Sequence, residues 1–211
     1  MSLSPNHGPR RDGQKPALIV LHYTAMRDCA AAEARLCDPA AEVSAHWLID
    51  RSGRTIALVD EDRRAWHAGA GSWQGRGDVN SRSIGIELDN DGASPFPEPQ
   101  MAALERLLRA IMARWDIPPL GVIGHSDMAP DRKVDPGPRF DWRRLARQGL
   151  SVWPAPAAPG DTAAQLTAFG FPPGPDQLAA FRLRFRPGAT GPLSAEDRAL
   201  AAGLDALRPP A

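Results

Sequence analysis

Three short apolar runs constrain the fold of this chain more than any other feature. They are ALIVLHY (residues 17–23), SIGIEL (83–88) and GVIGH (121–125). The first run is continuous and rich in Ile, Leu and Val, as is typical of a central strand that is buried on both faces. The second run alternates, with aliphatic side chains on one face and Gly85 and Glu87 on the other. These runs predict the strands of a sheet that is covered by other elements.

Helical and hairpin patterns fill the chain between these strands. EPQMAALERLLRAIMARWDI (98–117) has apolar residues at helical spacing, and Pro99 suits the first turn of a helix. SAHWLIDRSGRTIALVD (44–60) is typical of two strands around a turn. Residues 61–82 predict a long surface loop, which in a compact domain is usually functional or disordered. Together the patterns predict an α/β or mixed-sheet domain that ends near Trp153.

The C-terminal part is predicted to form a separate, smaller unit. Residues 155–160 have the Ala/Pro-rich composition of a linker, so the predicted domains are 1–154 and 161–211. The second domain contains three predicted helices, at 161–169, 175–186 and 194–207. A unit of about fifty residues is small for an independent fold, so we expect it to lean on the first domain.

The balance of charge excludes several classes of partner. The 211 residues contain 25 Lys and Arg against 25 Asp and Glu, so the formal net charge is zero. No long-range attraction to nucleic acid or to an anionic membrane is therefore expected. No run approaches the roughly 18 apolar residues of a membrane-spanning helix. We expect a monomer with neither a nucleic-acid nor a membrane partner.

The N-terminus and the two cysteines bear on the compartment. The stretch MSLSPNHGPRRDGQKP has no apolar signal segment and no cysteine that could take a lipid. We therefore expect a cytoplasmic protein, or a periplasmic one if a leader has been removed. Cys29 and Cys37 fall on one short predicted helix capped by Asp28, about 12 Å apart. That separation is too large for a disulfide. A zinc site built on these cysteines is not expected either, because the chain has no CxxC spacing.

The three apolar runs lead directly to residues with useful chemistry. They end at or near His22, Glu87 and His125, and Lys133 and Asp135 follow in a proline-rich loop. Ligands bind at the carboxyl ends of parallel strands. Two histidines and an aspartate suit a catalytic zinc ion, which keeps a fourth position for water. A single histidine at the end of a strand is more often structural; the hypothesis rests on three separate segments that each offer a suitable residue.

These residues also suggest a division of labour in amide hydrolysis. Zinc lowers the pKa of its water to about 7 and so supplies a nucleophile at neutral pH. Glu87 can take the proton from that water and deliver it to the leaving amine. Lys133 can stabilise the oxyanion of a tetrahedral intermediate.

Longer motifs carry a family resemblance. LIVLHYTA, SAHWLIDRSGRTIALV, AWHAG, NSRSIGIELDNDG and GHSDMAPDRKVDPGPRFDW occur in this order within the predicted first domain. With the tail that follows the linker, they resemble the type-2 N-acetylmuramoyl-L-alanine amidases, zinc enzymes related to peptidoglycan recognition proteins. The IGIEL and GHSD…KxDPGP blocks are the specific ones. The resemblance implies a central mixed β-sheet flanked by helices, with zinc in a surface groove, plus a small C-terminal three-helix domain.

Carried over position by position, the resemblance implies roles that agree with the chemistry above. It makes His22, His125 and Asp135 the zinc ligands, Glu87 the catalytic acid/base and Lys133 the stabiliser of the transition state. Non-catalytic recognition relatives lack a zinc ligand, and the presence of all three here favours an enzyme.

The chain departs from the family pattern at two places. Some relatives have a catalytic tyrosine just before the histidine of the SAHW block, where this chain has Ala45, so Glu87 must carry that task. The tail resembles a small peptidoglycan-binding module, but its glycine-and-aspartate turn is replaced by GATGPLSAED. Both cell-wall binding and simple packing beside the first domain stay open for the tail.

Further residues are candidates for substrate contact. They are His46, His67, Trp66 and Asn80. Structural packing is the alternative for His46, and shaping of the long loop is the alternative for His67. Trp66 and Trp73 can stack on a sugar face or pin the loop, and Asn80 is predicted to hydrogen-bond the loop.

The sequence therefore predicts a zinc-dependent amidase. Its substrate would be a muropeptide, cleaved between the lactyl group of (anhydro-)N-acetylmuramic acid and the L-alanine of the stem peptide, in peptidoglycan recycling. Two alternatives stay open: a recognition module that binds peptidoglycan without cutting it, and a lytic amidase that acts on intact cell wall.

Overall fold

The structure is a computed structural model that describes residues 3–208, so the first two and last three residues of the predicted domains lie outside it. The strands of the described part are β1 (His7–Pro9), β2 (Leu18–Tyr23), β3 (Trp47–Ile49), β4 (Thr55–Ala57), β5 (Arg63–Ala65), β6 (Ser83–Leu88) and β7 (Val122–Gly124). The α-helices of this part are α1 (Cys29–Cys37), α2 (Val79–Arg82), α3 (Glu98–Trp115), α4 (His125–Met128), α5 (Trp142–Arg147), α6 (Thr162–Phe169), α7 (Gln177–Phe185) and α8 (Ala195–Gly203).

The main sheet has five strands in the order β4-β3-β6-β2-β7. Strand β2 is parallel to β6 and to β7, and β3 is parallel to β6. Only β4 runs antiparallel, because a hairpin turn joins it to β3. The mixed sheet expected from the sequence is confirmed, and the three apolar runs are its adjacent parallel strands.

Helix α3 covers one face of this sheet. Its buried residues include Leu104 and Leu108, which share a core with Ile84, Ile86 and Leu88 of β6. The alternation of β6 thus points its aliphatic side chains at α3 and leaves Gly85 and Glu87 for the other face. The helix begins with a proline in its first turn, as predicted.

The opposite face of the sheet is covered by the C-terminal helices. Leu18 and Val20 of β2 and Ile123 of β7 belong to one core cluster with Phe169 and Phe181. Strand β2 is therefore buried on both faces, which explains why its sequence is a continuous apolar run.

Residues 161–208, called here the tail, contain the helices α6, α7 and α8, which match the predicted helical segments with one difference. The third segment was predicted to run to residue 207, but α8 ends at Gly203 and a 3₁₀ turn follows it. The capping box between Ser194 and Asp197 is present. The expectation that the tail leans on the rest of the chain agrees with the shared core. The division into domains 1–154 and 161–211 stays a prediction.

The long loop, residues 61–82, has more structure than its composition suggested. It contains β5, which pairs antiparallel with β1 near the N-terminus, and α2 at its end. Three guanidinium groups donate to carbonyl oxygens of this loop: Arg10 to Glu61, Arg82 to Trp73 and Arg132 to Ala68. Arg10 and Arg132 therefore hold the loop from segments before and after it, and Arg82 holds it from within.

Two smaller expectations concern the cysteines and the membrane. Cys29 and Cys37 begin and end α1 and are free thiols, and the side chain of Asp28 accepts the Ala31 N–H as the predicted cap. Within residues 3–208, none of the helices has the length and apolar character needed to cross a bilayer.

A close contact between the linker and α8 yields a test of the fold. A Cβ added at Gly203 would lie 1.8 Å from the carbonyl oxygen of Ala155. Glycine to alanine usually stabilises a helix by about 1 kcal/mol, but here overpacking should reverse the sign. We expect Gly203→Ala to lower the free energy of unfolding by about 1–3 kcal/mol in urea titrations.

Gly8→Ala is the matched control for this experiment. A Cβ at Gly8 meets nothing within 4 Å, so its free energy of unfolding should stay within about 0.5 kcal/mol of the parent. A Gly203→Ala protein as stable as the parent would show that the linker does not pack against α8 as described.

Candidate active site

The carboxyl ends of the parallel strands bring the predicted residues to one edge of the sheet. His22 on β2 lies opposite Glu87 on β6 in the strand register. His125 follows Gly124, the last residue of β7, which pairs with Leu21 of β2. His22, Glu87 and His125 therefore meet at the edge where open α/β sheets bind ligands.

Asp135 completes a compact group of metal-binding atoms. Its Oδ2 lies 2.8 Å from Nδ1 of His22 and 3.0 Å from Nδ1 of His125. Its main-chain carbonyl accepts the N–H of Ser126, which ties the proline-rich loop to α4. The three side chains are buried and their donor atoms lie within 4.8 Å of one another. These residues form a group that can hold a metal ion.

The outer nitrogen of the His125 ring is already occupied. Nε2 lies 2.9 Å from the carbonyl oxygen of Ala68 in the long loop. A carbonyl oxygen can only accept, so Nε2 carries the hydrogen and, in the neutral imidazole, Nδ1 presents its lone pair to Asp135.

A chain of hydrogen bonds assigns the same tautomer to His22. Ser83 Oγ donates to the carbonyl oxygen of Val79 at 2.6 Å, so it must accept from His67 Nε2, 3.2 Å away. Nδ1 of His67 is then an acceptor, and it lies 3.0 Å from Nε2 of His22. Nε2 of His22 therefore carries the hydrogen, and its Nδ1 also points a lone pair at Asp135.

Two imidazole lone pairs and a carboxylate oxygen thus face one another. Such acceptors repel at these distances unless a cation or a proton lies between them. Burial, followed by the neighbouring His125, lowers the pKa of His22 to about 4, so this ring is neutral at neutral pH. Neutral imidazole and ionised carboxylate are the forms that bind metals, and the donor set fits a divalent ion.

Glu87 lies beside this group and is not used by the fold. Its Oε2 is buried and has no hydrogen-bond partner within residues 3–208. Burial, followed by the negative charge of Asp135, raises the pKa of Glu87 to about 8. A carboxyl group with such a pKa can hold or release a proton near neutral pH, as acid–base catalysis requires.

Lys133 supplies a free positive charge at the same place. It lines the cleft, and its side chain makes no ion pair or hydrogen bond with any residue that the structure describes. Its charge opposes the upward shift that burial causes in the pKa of Glu87. The ammonium group is available to a negative charge on a ligand.

These groups open into a cleft of about 440 Å³. Its lining includes Met26, Arg35, Trp66 and Val134. Val134 is 55% exposed, which is unusual for an aliphatic side chain of this protein. A concave site of this volume, with apolar and basic walls, suits a ligand of small-peptide size.

The candidates for substrate contact separate into two groups. His67 and Trp66 line the cleft, whereas His46 and Asn80 do not. His46 is fully buried, and its Nδ1 accepts the N–H of Gly85 at 2.9 Å while Nε2 lies 3.1 Å from a backbone carbonyl. The position of His46 agrees with structural packing, the alternative to substrate contact.

Asn80 and Trp73 hold the long loop, as their alternatives predicted. Oδ1 of Asn80 accepts the N–H groups of His67 and Ala68 at 3.0 and 2.8 Å. Trp73 is fully buried and packs edge to face against Phe169. Neither residue lines the cleft.

Two residues that matter for the geometry were not found from the sequence. A Cβ on Gly85 would lie 2.4 Å from the His67 ring, so only glycine lets that ring lie across β6. A glycine inside a strand is the signal that indicates such a close approach. Ser83, which fixes the tautomer of His67, carries no comparable local signal.

Comparison with known proteins identifies the family that this chain resembles. The family model described as N-acetylmuramoyl-L-alanine amidase (Amidase_2) matches residues 12–138. The chain is 37% identical to N-acetylmuramoyl-L-alanine amidase AmiD of Escherichia coli K12, over 89% of this chain and 81% of that protein. It is 36% identical to 1,6-anhydro-N-acetylmuramyl-L-alanine amidase AmpD of Enterobacter cloacae, over 67% of this chain and 85% of that protein.

Solved structures of relatives share the fold over almost the whole chain. The complex of Escherichia coli AmiD with anhydro-N-acetylmuramic acid-L-Ala-D-γ-Glu-L-Lys matches with a TM-score of 0.81 at 37% identity, covering 93% of this chain and 89% of that one. AMPDH3 of Pseudomonas aeruginosa in complex with anhydromuramic pentapeptide matches with a TM-score of 0.84 at 31% identity, covering 93% and 94%. The chain therefore belongs to the Amidase_2 family of N-acetylmuramoyl-L-alanine amidases.

Proposed function

We propose that this protein is a zinc-dependent N-acetylmuramoyl-L-alanine amidase. It hydrolyses the amide between the lactyl group of anhydro-N-acetylmuramic acid and the L-alanine of the stem peptide, in peptidoglycan recycling. The observation that carries the proposal is the convergence of His22, His125 and Asp135 beside an unpaired Glu87. The muropeptide complex of the relative AmiD supports the choice of substrate.

The ligand set favours zinc. Nδ1 of His22, Nδ1 of His125 and Oδ2 of Asp135 would hold the ion and leave one position open, as in catalytic zinc sites. When bound, zinc supplies Lewis acidity, which polarises a carbonyl group and makes water nucleophilic near neutral pH. His67 and the carbonyl of Ala68 orient the two rings for this task.

Glu87 and Lys133 would carry the proton and the charge. Ionised Glu87 accepts a proton from the attacking water and then delivers it to the nitrogen of L-alanine as the C–N bond breaks. The ammonium group of Lys133 stabilises the negative charge that develops on the carbonyl oxygen. The products are the lactyl carboxylate of the sugar and a free stem peptide. Ala45 stands where some relatives have a tyrosine, so Glu87 acts without it.

The cleft would bind the muropeptide around the scissile bond. We propose His67 and Trp66 as its contacts, since both line the cleft. We keep the predictions of a monomer without membrane or nucleic-acid partners and of a cytoplasmic location, with the periplasm as the alternative. Light scattering tests the monomeric state, and cell fractionation tests the location.

The two other functions considered from the sequence make different demands. A recognition module needs no acid/base, yet Glu87 lies unpaired beside the three ligand residues. A lytic amidase must act on intact wall, so comparing whole sacculi with soluble anhydro-muropeptides as substrates separates it from a recycling enzyme.

Metal removal is the first test of the proposal. The purified protein should release free stem peptide from an anhydro-muropeptide, lose this activity in chelator and regain it with zinc. Asp135→Ala should lose both zinc and activity, whereas Asp131→Ala, an exposed aspartate of the same loop, should keep both. A zinc-loaded protein that binds the muropeptide without cleaving it would favour the recognition module.

Substitution of Glu87 tests the acid/base role. Glu87→Gln keeps the size of the side chain but cannot exchange the proton, so kcat should fall by about 10²–10⁴ while zinc content and KM stay near the parent values. Glu33→Gln on α1 is the control and should leave kcat unchanged. Full activity of Glu87→Gln would assign the proton transfer to another group.

Substitution of His67 tests the hydrogen-bond chain behind His22. His67→Phe keeps a ring over Gly85 but removes the acceptor for His22 Nε2–H, so zinc affinity should fall about 10–100-fold in chelator competition. His67→Gln retains an acceptor and should recover part of this loss. His7→Phe, on β1, is the control. Unchanged affinity in His67→Phe would mean that the chain does not orient the ligand.

A further inference from the structure

We propose that Arg184 of the tail is a positioning residue for the metal ligand His125. Its guanidinium group holds α4, the helix that begins with His125, through an ion pair with Asp127. The tail would then be part of the catalytic apparatus and not only an attached module. This inference rests on the proposed zinc site.

Arg184 contacts residues that lie before and after His125 in the sequence. Nη1 lies 2.6 Å from Oδ2 of Asp127, and the same oxygen accepts the N–H of Gly124 at 2.8 Å. Nη2 donates to the carbonyl oxygen of Val122 at 3.0 Å. One guanidinium group therefore fixes the strand before His125 and the helix after it.

Helix α4 needs such a partner because it is a single turn. It spans only His125–Met128, and a helix of this length has too few internal hydrogen bonds to hold itself. A small rotation of α4 would swing Nδ1 of His125 away from Asp135. The geometry of the metal site therefore depends on what packs against α4.

Stability alone does not explain a charge at this position. Arg184 is 1% exposed and Asp127 is fully buried, and the guanidinium lies over the ring of Trp142 at 4.4 Å. Burying a salt bridge often contributes nothing to stability compared with apolar residues of similar volume. The fork of donors instead defines one orientation of the groups that it binds.

The tail also supports the other side of the His125 ring. Trp73 of the long loop packs edge to face against Phe169 and Phe171 of the tail, at 5.7 and 5.5 Å between ring centroids. The N–H of Gln74 donates to the carbonyl oxygen of Gly170 at 3.0 Å. The same loop carries the carbonyl of Ala68 that holds Nε2 of His125, so the tail fixes both the backbone and the ring.

The chain offers a matched control in the tail itself. Arg182, two residues before Arg184, forms a buried ion pair with Asp197. Its other hydrogen bonds go to the carbonyl oxygens of Gly191 and Pro192, all within the tail. Substituting Arg182 therefore disturbs a buried arginine of the same helix without touching α4.

The test compares Arg184→Lys with Arg182→Lys. Lysine keeps the charge but cannot hold Asp127 and Val122 together. At a temperature where circular dichroism shows both variants folded, zinc affinity is measured by chelator competition, with kcat and KM on a muropeptide. We expect zinc affinity to fall tenfold or more for Arg184→Lys and to stay within twofold of the parent for Arg182→Lys.

A second variant guards against poor folding. In Arg184→Met with Asp127→Asn both charges are gone, the amide still accepts the Gly124 N–H, and the fold should persist. Its zinc affinity should also be reduced tenfold or more. If either Arg184 variant is folded and binds zinc as the parent does, the inference is overturned while the proposed function stands. If the parent itself binds no zinc, both fall.

Discussion

Nδ1 of His22, Nδ1 of His125 and Oδ2 of Asp135 face one another at distances of 2.8 and 3.0 Å from the carboxylate, with both rings presenting lone pairs. Three acceptors do not gather at such distances by themselves. The parallel pairing of β2, β6 and β7 brings the two histidines together, and the bond from Ser126 N–H to the Asp135 carbonyl adds the third group. The fold therefore holds in place a geometry whose repulsion a bound cation relieves.

The long loop fixes the orientation of the two histidine rings. It supplies His67 to one ring and the carbonyl of Ala68 to the other. Arg10, Arg82 and Arg132 hold carbonyl oxygens along the loop, so a large movement of the loop would break several hydrogen bonds and release both rings. Such a loop orients ligands, and a lid that opens and closes over the substrate is a less suitable description of it.

The sequence predicted the parts of the site that depend on local pattern. The apolar runs predict His22, Glu87 and His125 at or near strand ends, and the strand register places His22 beside Glu87. The hydrogen bond from Ser83 to His67, and the pairing of β1 with β5, join segments with no pattern that links them. Such contacts follow from the tertiary fold, which periodicity does not report.

The helical pattern of the tail fits both wall binding and packing, and periodicity alone does not separate the two. Its apolar side chains are used: Phe169, Phe181 and Phe185 belong to the core that covers β2 and β7. A wall ligand would need an open surface, and a groove of about 780 Å³ is lined in part by Arg143, Trp153 and Arg186. The guanidinium of Arg143 already lies over the Trp153 ring, 5.0 Å from its centroid. A sugar that stacked on Trp153 would first have to displace the Arg143 guanidinium. The contacts by which the tail fixes α4 and the long loop need no such displacement.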